Sequence, residues 1–345
     1  MRISYRILIF SLLLFLTFFS VNAQRYNPGF AVLTQKNQTI FKKFFSGSPD
    51  FEKNQKINEN TNFRMASVSK QFTAACIIIL KNRGKLNYDD VLTNFFSEFK
   101  TGNKITIKHL LTHSSGLIDY ENLIPDNQKD QISDAEVLDW VGKVDSLYFE
   151  PGSQFRYSNG GFCILSKIVE KVSGQSFSAF MVENIFKPLK MDNSYLFEKG
   201  SLMPNRAMGY AKNDTGEIIF SDQSITSATK GDGCVYTNLV DYQKWLSALT
   251  QRQLFDIQKE LIEVNFPIPS QEGLFYGLGW FNISGKELYH TGSTCGFSNV
   301  VWQTIDGKNA VVFFSNLADN HAEAYPFLKS FKPYFNLEKV LRLTN

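Results

Sequence analysis

Three short groups of residues in this chain carry the atoms of nucleophilic acyl chemistry. The first is Ser67-Val68-Ser69-Lys70. Ser67 and Lys70 stand three residues apart, so on a helix they share one face, and an amine beside a hydroxyl can activate it as a nucleophile. The second is Tyr157-Ser158-Asn159, which follows the turn residues Pro151-Gly152 and precedes Gly160-Gly161. A phenol can pass a proton, and a lysine ammonium beside a phenol favours its ionised form. The third is His290-Thr291-Gly292-Ser293. A glycine lets a substrate approach strand backbone closely, and backbone N–H groups on such an edge can pair an extended substrate or hold an oxyanion.

Each group alone is ambiguous. Ser-x-x-Lys recurs at Ser97/Lys100 and Ser227/Lys230, and Tyr-x-Asn at Tyr120/Asn122 and Tyr334/Asn336. Tyr157 and Asn159 also fit a packed turn and a helix cap, and His290 fits an ordinary strand-end histidine. Context separates the serine–lysine pairs. Ser67 and Lys70 open a run to Leu80 that is apolar on nearly every helical face, so that helix is buried. A buried lysine loses hydration worth several kcal/mol without a compensating partner, and Ser67 is the nearest one. A serine there also sits at the positive end of the helix dipole, where an alkoxide is stabilised. Ser97/Lys100 runs instead into the turn Thr101-Gly102-Asn103, and Ser227/Lys230 lies in a polar segment before Gly231-Asp232-Gly233.

The elements that must position these groups follow from periodicity. Phe30 to Thr34 and Ile40 to Phe45 read as a hairpin around a polar turn. The central helix ends near Asn82-Arg83-Gly84. Helices are expected at 106–111, at 134–141 behind a Ser133 N-cap, at 161–172 and at 176–185 before Pro188. Beyond Ala207 the period shortens toward two, with strands at 207–210, 217–220, 274–280, 287–290, 298–303 and 310–314 and a helix at 240–249. A first hairpin parted from its later strands by a helical block predicts an α+β fold. In it, an antiparallel sheet flanked by helices is built from about 29–85 and 205–345, and an all-helical lobe from about 86–204 is inserted.

The 345 residues suffice for a large core, with 32 phenylalanines to fill it. Arg2 and Arg6, the apolar run 7–19 and the small residues up to Ala23 have the layout of a signal peptide over residues 1–23, cut before Gln24. That layout predicts a secreted or periplasmic protein with no stable membrane span after cleavage. The net charge of +3 falls to about +1 without Arg2 and Arg6, which leaves no electrostatic basis for nucleic acid. Four cysteines, Cys76, Cys163, Cys234 and Cys295, admit three pairings between which sequence does not choose. Cys76 and Cys163 lie in apolar helical patterns and read as buried thiols. Four histidines show no zinc spacing, so no metal and no cofactor are expected.

The three groups stand in the order found in the serine penicillin-recognising enzymes, and the chain resembles that superfamily: class C β-lactamases, penicillin-binding proteins, and their esterase and D-aminopeptidase relatives. The similarity extends to 107–117, Pro151-Gly152, 233–237 and Tyr276-Gly277-Leu278-Gly279-Trp280, covering about Gly29 to Asn316. It implies that Ser67 attacks a carbonyl to form an acyl-enzyme while Lys70 and Tyr157 move protons. Asn159 would bind the substrate amide, with His290, Thr291, Gly292 and Ser293 lining the substrate strand. The oxyanion would lie between the N–H groups of Ser67 and Ser293. Two departures stand out. His290 replaces the lysine of many β-lactamases, which favours ester, D-amino-acid peptide or cell-wall peptide substrates over β-lactams; if charged, it would contact an anionic substrate and lose that contact above about pH 6.5. The helix that often precedes the first strand is also expected to be missing. The rival readings are a β-lactamase proper and a catalytically idle ligand sensor; the oligomeric state is left open.

Overall fold

Asn37 and Gln38, at φ of +50° and +64°, make the mirror-image turn that suits the twist of a two-stranded ribbon. They join β1 (Phe30–Lys36) to β2 (Thr39–Ser46). The structure is a computed structural model that describes residues 27–53 and 55–331. The expected leader at 1–23 and the question of a preceding helix lie outside the described residues. Among the described residues no helix is long and apolar enough to cross a membrane.

After β3 (Phe63–Arg64) comes a single 3-10 turn, Ala66–Ser69, and then α1 (Lys70–Asn82). Every residue of α1 from Lys70 to Leu80 is buried, as its all-round apolar sequence requires. Ser67 thus lies in the tight 3-10 turn leading into the helix and not on the α-helix itself. Reciprocal caps start α2 (Ile107–Leu111), with Thr106 and His109, and α3 (Asp134–Lys143), with Ser133 and Glu136. Ser158 caps α4 (Asn159–Ser173), and Gly174 closes it at φ +72°. The short α5 (Phe177–Met181) widens into a π turn through Phe186.

Four short strands follow: β4 (Tyr195–Leu196), β5 (Tyr210–Lys212), β6 (Ile218–Phe220) and β7 (Val235–Thr237). Then come α6 (Leu239–Gln251) and α7 (Ile257–Glu263); the seven-residue α7, capped by Asp256, lay outside the sequence expectation. The meander is β8 (Phe266–Pro267), β9 (Leu274–Gly277), β10 (Trp280–Ile283), β11 (Glu287–Thr294), β12 (Phe297–Thr304) and β13 (Ala310–Ser315), with α8 (Tyr325–Lys329) after it. The expected strand at 274–280 is split by a turn, because Leu278 and Gly279 both take positive φ.

The main sheet has the order β2-β1-β13-β12-β11-β10-β9-β8, antiparallel throughout. β1 pairs with β13, Phe30 opposite Ser315, so the two ends of the chain build one sheet, as the interrupted pattern predicts. A small sheet, β3-β7-β4, sits beside the Ala66–Ser69 turn. Buried between sheet and helices, α1 sets Phe72 edge-on to Phe186 at 5.6 Å and against Trp245 at 4.7 Å.

Two glycines let the sheet press on the start of α1. A Cβ on Gly279 would lie 2.6 Å from the Gln71 nitrogen, and one on Gly292 would lie 2.3 Å from the Met65 carbonyl oxygen. Neither backbone atom can step aside alone, so β11 lies directly against the turn that carries Ser67. Replacing Gly292 by Ala should therefore destabilise the fold by about 1–3 kcal/mol and reduce any activity that needs Ser67 beside β11. Urea unfolding of both proteins checks this: an unchanged midpoint would mean that the strand and the turn do not need this proximity.

Candidate active site

The chain approaches Ser67 under constraint. Ala66 sits at φ +48°, a region that a residue with a Cβ rarely occupies and that clusters at functional sites. The turn is held on both sides: Met65 N–H donates to the Val235 carbonyl at 2.8 Å, Ser69 Oγ accepts from Val235 N–H at 3.0 Å, and Asn299 Nδ2 donates to the Arg64 carbonyl at 2.9 Å. Ser69 thus serves the framework, which leaves Ser67, only half-buried, as the reachable hydroxyl of the group.

Lys70 is fully buried, and its Nζ is hydrogen-bonded to Ser67 Oγ at 3.0 Å, Asn159 Oδ1 at 2.8 Å and the Asp232 carbonyl at 2.9 Å. The same nitrogen lies 5.0 Å from the centre of the Tyr157 ring. Ser67, Lys70, Tyr157 and Asn159 therefore converge. The Asp232 carbonyl is presented by a pinned segment: the buried Arg64 guanidinium donates to the Gly233 and Ser227 carbonyls and to Gln223. Thr73 Oγ1 donates to the Gly231 carbonyl at 2.6 Å, and the Lys230 and Gly231 N–H groups donate to Asp134. Burial pushes the Asp134 carboxyl up to about 6, against those two N–H bonds.

Tyr157 and Asn159 owe their placement to His113, a residue that the spacing did not single out. Its carbonyl accepts from Arg156 N–H at 2.8 Å and its Nδ1 from Ser158 N–H at 3.1 Å, so it grips the backbone on both sides of Tyr157. Its ring lies 4.2 Å from that of Tyr157 and 4.3 Å from that of Tyr276. Because Nδ1 accepts, the proton sits on Nε2, which, like the Tyr157 hydroxyl, has no hydrogen-bond partner among the described residues. Burial holds the His113 imidazole far below the usual range, with the neighbouring Lys70 adding to the effect.

The chain matches the Beta-lactamase family over residues 20–327. It belongs to that family. It is 27% identical to penicillin-binding protein 4* of Bacillus subtilis over 334 residues, spanning 91% of this chain and 74% of that protein. It is 25% identical to the flp protein of Staphylococcus aureus, spanning 92% and 69%. Among solved structures it resembles a penicillin-binding protein from Bacillus halodurans, with TM-score 0.79, 25% identity, and 87% and 95% of the two chains covered. A D-amino acid amidase from Ochrobactrum anthropi gives TM-score 0.74 at 21% identity, covering 90% and 95%.

In this member of the family, His290 is not the charged substrate contact that its position suggested. It is fully buried. Nδ1 lies 2.5 Å from the Thr291 carbonyl, which can only accept, so Nε2 is left to accept from the Tyr276 hydroxyl at 3.1 Å. Both ring nitrogens are satisfied in the neutral form, and burial pushes the imidazole down to about 3. The expected loss of substrate binding above pH 6.5 therefore has no group behind it. Thr291 is also buried, Gly292 is the close-approach point, and Ser293 is exposed. His321, which sequence reasoning considered only as a metal ligand, has Nε2 3.2 Å from both the Gly292 carbonyl and Ser293 Oγ. It braces the strand end that faces the nucleophile. Among the described residues no cluster of ligating side chains could hold a metal ion, and all four cysteines are free.

Two outcomes follow from the imidazoles. Between about pH 3 and 6.5 the unfolded chain protonates residue 290 and the folded one does not, so stability falls as pH drops through that window, by up to about 1.4 kcal/mol per pH unit. The stability difference between wild type and His290→Asn, followed by denaturation from pH 7 to 4, should shrink or grow with that slope; a constant difference would show that His290 titrates normally. For His113, substitution by Leu leaves the Ser158 N–H without its acceptor and Tyr157 without its neighbour. It should lower kcat about tenfold or more at nearly constant KM, and Asn, which restores an acceptor near the Nδ1 position, should recover part of that loss.

Proposed function

We propose that the chain is an exported serine hydrolase that forms an acyl-Ser67 intermediate with amides or esters of D-amino acids or short peptides. The observation that carries this is Lys70 Nζ set between Ser67 Oγ and Asn159 Oδ1 with the Tyr157 ring beside it. Ser67 Oγ attacks the carbonyl carbon, and its proton passes to the Lys70 amine, with the Tyr157 hydroxyl beside it to relay a proton onward to the leaving group. The tetrahedral oxyanion is held by the N–H groups of Ser67 and Ser293. As the C–N or C–O bond breaks, the leaving group takes that proton. Water then adds to the acyl-serine, giving up its proton by the same route, and the acid departs with Ser67 restored. Asn159 holds both Lys70 and the substrate amide in register.

Substrate choice rests on the residue at position 290. A neutral, enclosed imidazole supplies no fixed positive charge for the carboxylate that β-lactams carry, so amides and esters suit this cleft better. The shared fold with a D-stereospecific amidohydrolase from Streptomyces, TM-score 0.74 at 21% identity, is compatible with the same substrate class. Export rests on the leader pattern of residues 1–23.

Intact-mass measurement after exposure to a fluorophosphonate should reveal one adduct on the wild type and none on Ser67→Ala. A panel of D-amino acid amides, short-chain esters and nitrocefin should give turnover of the first two and only a trace of the third. Equal labelling of Ser67→Ala would remove Ser67 from the mechanism, and brisk nitrocefin turnover would reassign the enzyme as a β-lactamase proper.

A further inference from the structure

In the form that can take the Ser67 proton, the Lys70 amine has two N–H groups and one lone pair. Asn159 Oδ1 and the Asp232 carbonyl oxygen can only accept, and they lie 2.8 Å and 2.9 Å from Nζ. They take the two N–H groups, which leaves the lone pair for Ser67 Oγ at 3.0 Å. The aim of the base is therefore set by two fixed oxygens. One of them belongs to main chain, on a strap of residues 230–233 that touches three helices.

The strap is fixed at three points. A Cβ on Gly231 would lie 2.1 Å from the Phe162 carbonyl oxygen, so the backbone there is pressed against α4. Thr73 of α1 donates to the Gly231 carbonyl at 2.6 Å. The third point is Asp134, the buried first residue of α3. Its Oδ2 accepts from Lys230 N–H at 2.7 Å and its Oδ1 from Gly231 N–H at 3.0 Å. One carboxylate thus spans two consecutive amides immediately before the residue whose carbonyl meets Lys70.

We propose that Asp134 is a positioning residue for the general base: its ionised carboxylate holds the 230–232 backbone, and through it the Asp232 carbonyl, so that protonation of Asp134 turns down the activation of Ser67. This rests on the acyl-serine reading above, in which Lys70 takes the Ser67 proton. A protonated carboxyl has a hydroxyl where it had an acceptor, so one of the two N–H groups loses its partner. The carbonyl that aims the lone pair is then held less closely, and rates fall steeply with small misplacements of a reacting group.

The surroundings of Asp134 bring this change into an ordinary pH range. Burial raises its carboxyl to about 6 and the Asp232 carboxylate adds to the rise, while the Gly231 and Lys230 N–H groups and the Cys163 thiol of α4 oppose it. Cys234, at the end of the strap, keeps its thiol proton through burial, and so does the phenol of Tyr120 on the neighbouring 3-10 turn. On α3 itself Glu136 is engaged in capping Ser133, and the Lys230 ammonium pairs with Glu198. Because the folded value lies above the unfolded one of about 3.9, the buried charge weakens the fold above pH 6, and that weakening is relieved as pH falls toward 4. Activity and stability should therefore move in opposite directions across one window, which a carboxylate needed only for folding would not produce.

A fluorophosphonate is the probe, since it needs no identified substrate and carries no group that titrates. Labelling rates at Ser67 are followed by intact mass from about pH 4.5 to 8 for wild type and for Asp134→Asn, which is neutral throughout. Their ratio cancels any titration common to both proteins. It should be about tenfold or more at pH 8 and fall to about one below pH 5, half-way near pH 6, while the melting temperature of wild type relative to Asp134→Asn rises over the same range. Should Asp134→Asn fail to fold, variants of Cys163 test the same point with the carboxylate in place. Cys163→Ser, a stronger donor to Asp134, should move the midpoint of the labelling profile down, and Cys163→Ala, with no donor, should move it up. A ratio that stays constant with pH, or midpoints indifferent to both Cys163 variants, would overturn the proposal. Absence of labelling at every pH would instead reject the acyl-serine reading and this inference with it, whereas labelling of Ser67 that ignores the state of Asp134 rejects the inference alone.

Discussion

The burial of one amine governs this structure. Lys70 Nζ is removed from water and must recover its hydration from fixed oxygens, and the three it finds come from Ser67 in its own turn, Asn159 at the start of α4 and the carbonyl of Asp232. An uncompensated buried amine would cost several kcal/mol, a large share of the stability of a domain. Much of the surrounding fold can be read as the means of keeping those acceptors in place. Arg64 ties down the segment 223–233, Asp134 holds its Lys230 and Gly231 N–H groups, and Ser158 caps the helix that begins with Asn159. The requirement of stability and that of chemistry coincide at one atom, because the oxygen that solvates the amine at Ser67 is also the oxygen that it would activate.

The wall opposite is aromatic and neutral. His113, Tyr157, Tyr276, Phe281 and His290 form a continuous set of ring contacts, with His113 and Tyr276 at 4.3 Å and Tyr276 and Phe281 at 4.8 Å. A proton added to either imidazole would put a charge into this buried wall, and it would also break a hydrogen bond, since both nitrogens of His290 and Nδ1 of His113 are engaged in the neutral form. The histidines therefore act as shaped, oriented rings. Their polarity fixes backbone and phenol positions, and their neutrality leaves the field of the cleft to Lys70.

The parts of this arrangement that sequence could reveal were those set by local rules. Serine and lysine three residues apart at the mouth of an apolar helix form a pattern with a steric meaning, and the cap at Ser133 and the hairpin at Asn37-Gln38 obey turn and cap chemistry that does not depend on the rest of the chain. Periodicity also gave the interrupted α+β order, because strands of period two stand on either side of a helical block. Position 290 could not be read in the same way. Whether a strand residue faces a cleft or a ring cluster depends on what packs across from it, here Tyr276 and Phe281, and no local pattern encodes that. His113 was hidden for a similar reason: it works through its own carbonyl and a ring nitrogen on a loop more than forty residues away.

Backbone contact explains how so distributed a site can hold chemical precision. Misplacement of a reacting group by about 1 Å can cost two orders of magnitude in rate, and side chains that must choose among rotamers hold position less well than backbone does. Around Ser67 the decisive contacts are made by backbone: Gly292 against the Met65 carbonyl, Gly279 against the Lys70–Gln71 peptide, and Met65 N–H on the Val235 carbonyl. Three separate parts of the chain meet there with almost no rotatable bonds between them, and the strained φ of Ala66 persists because its neighbours over-determine it. The soft part of the site lies on the other side, where Asn159 and Tyr157 depend on a capped helix start and on the grip of one histidine. A rigid nucleophile facing a more adaptable binding edge is the arrangement in which substrate preference can change by substitution at the rim while the acylating apparatus stays as it is.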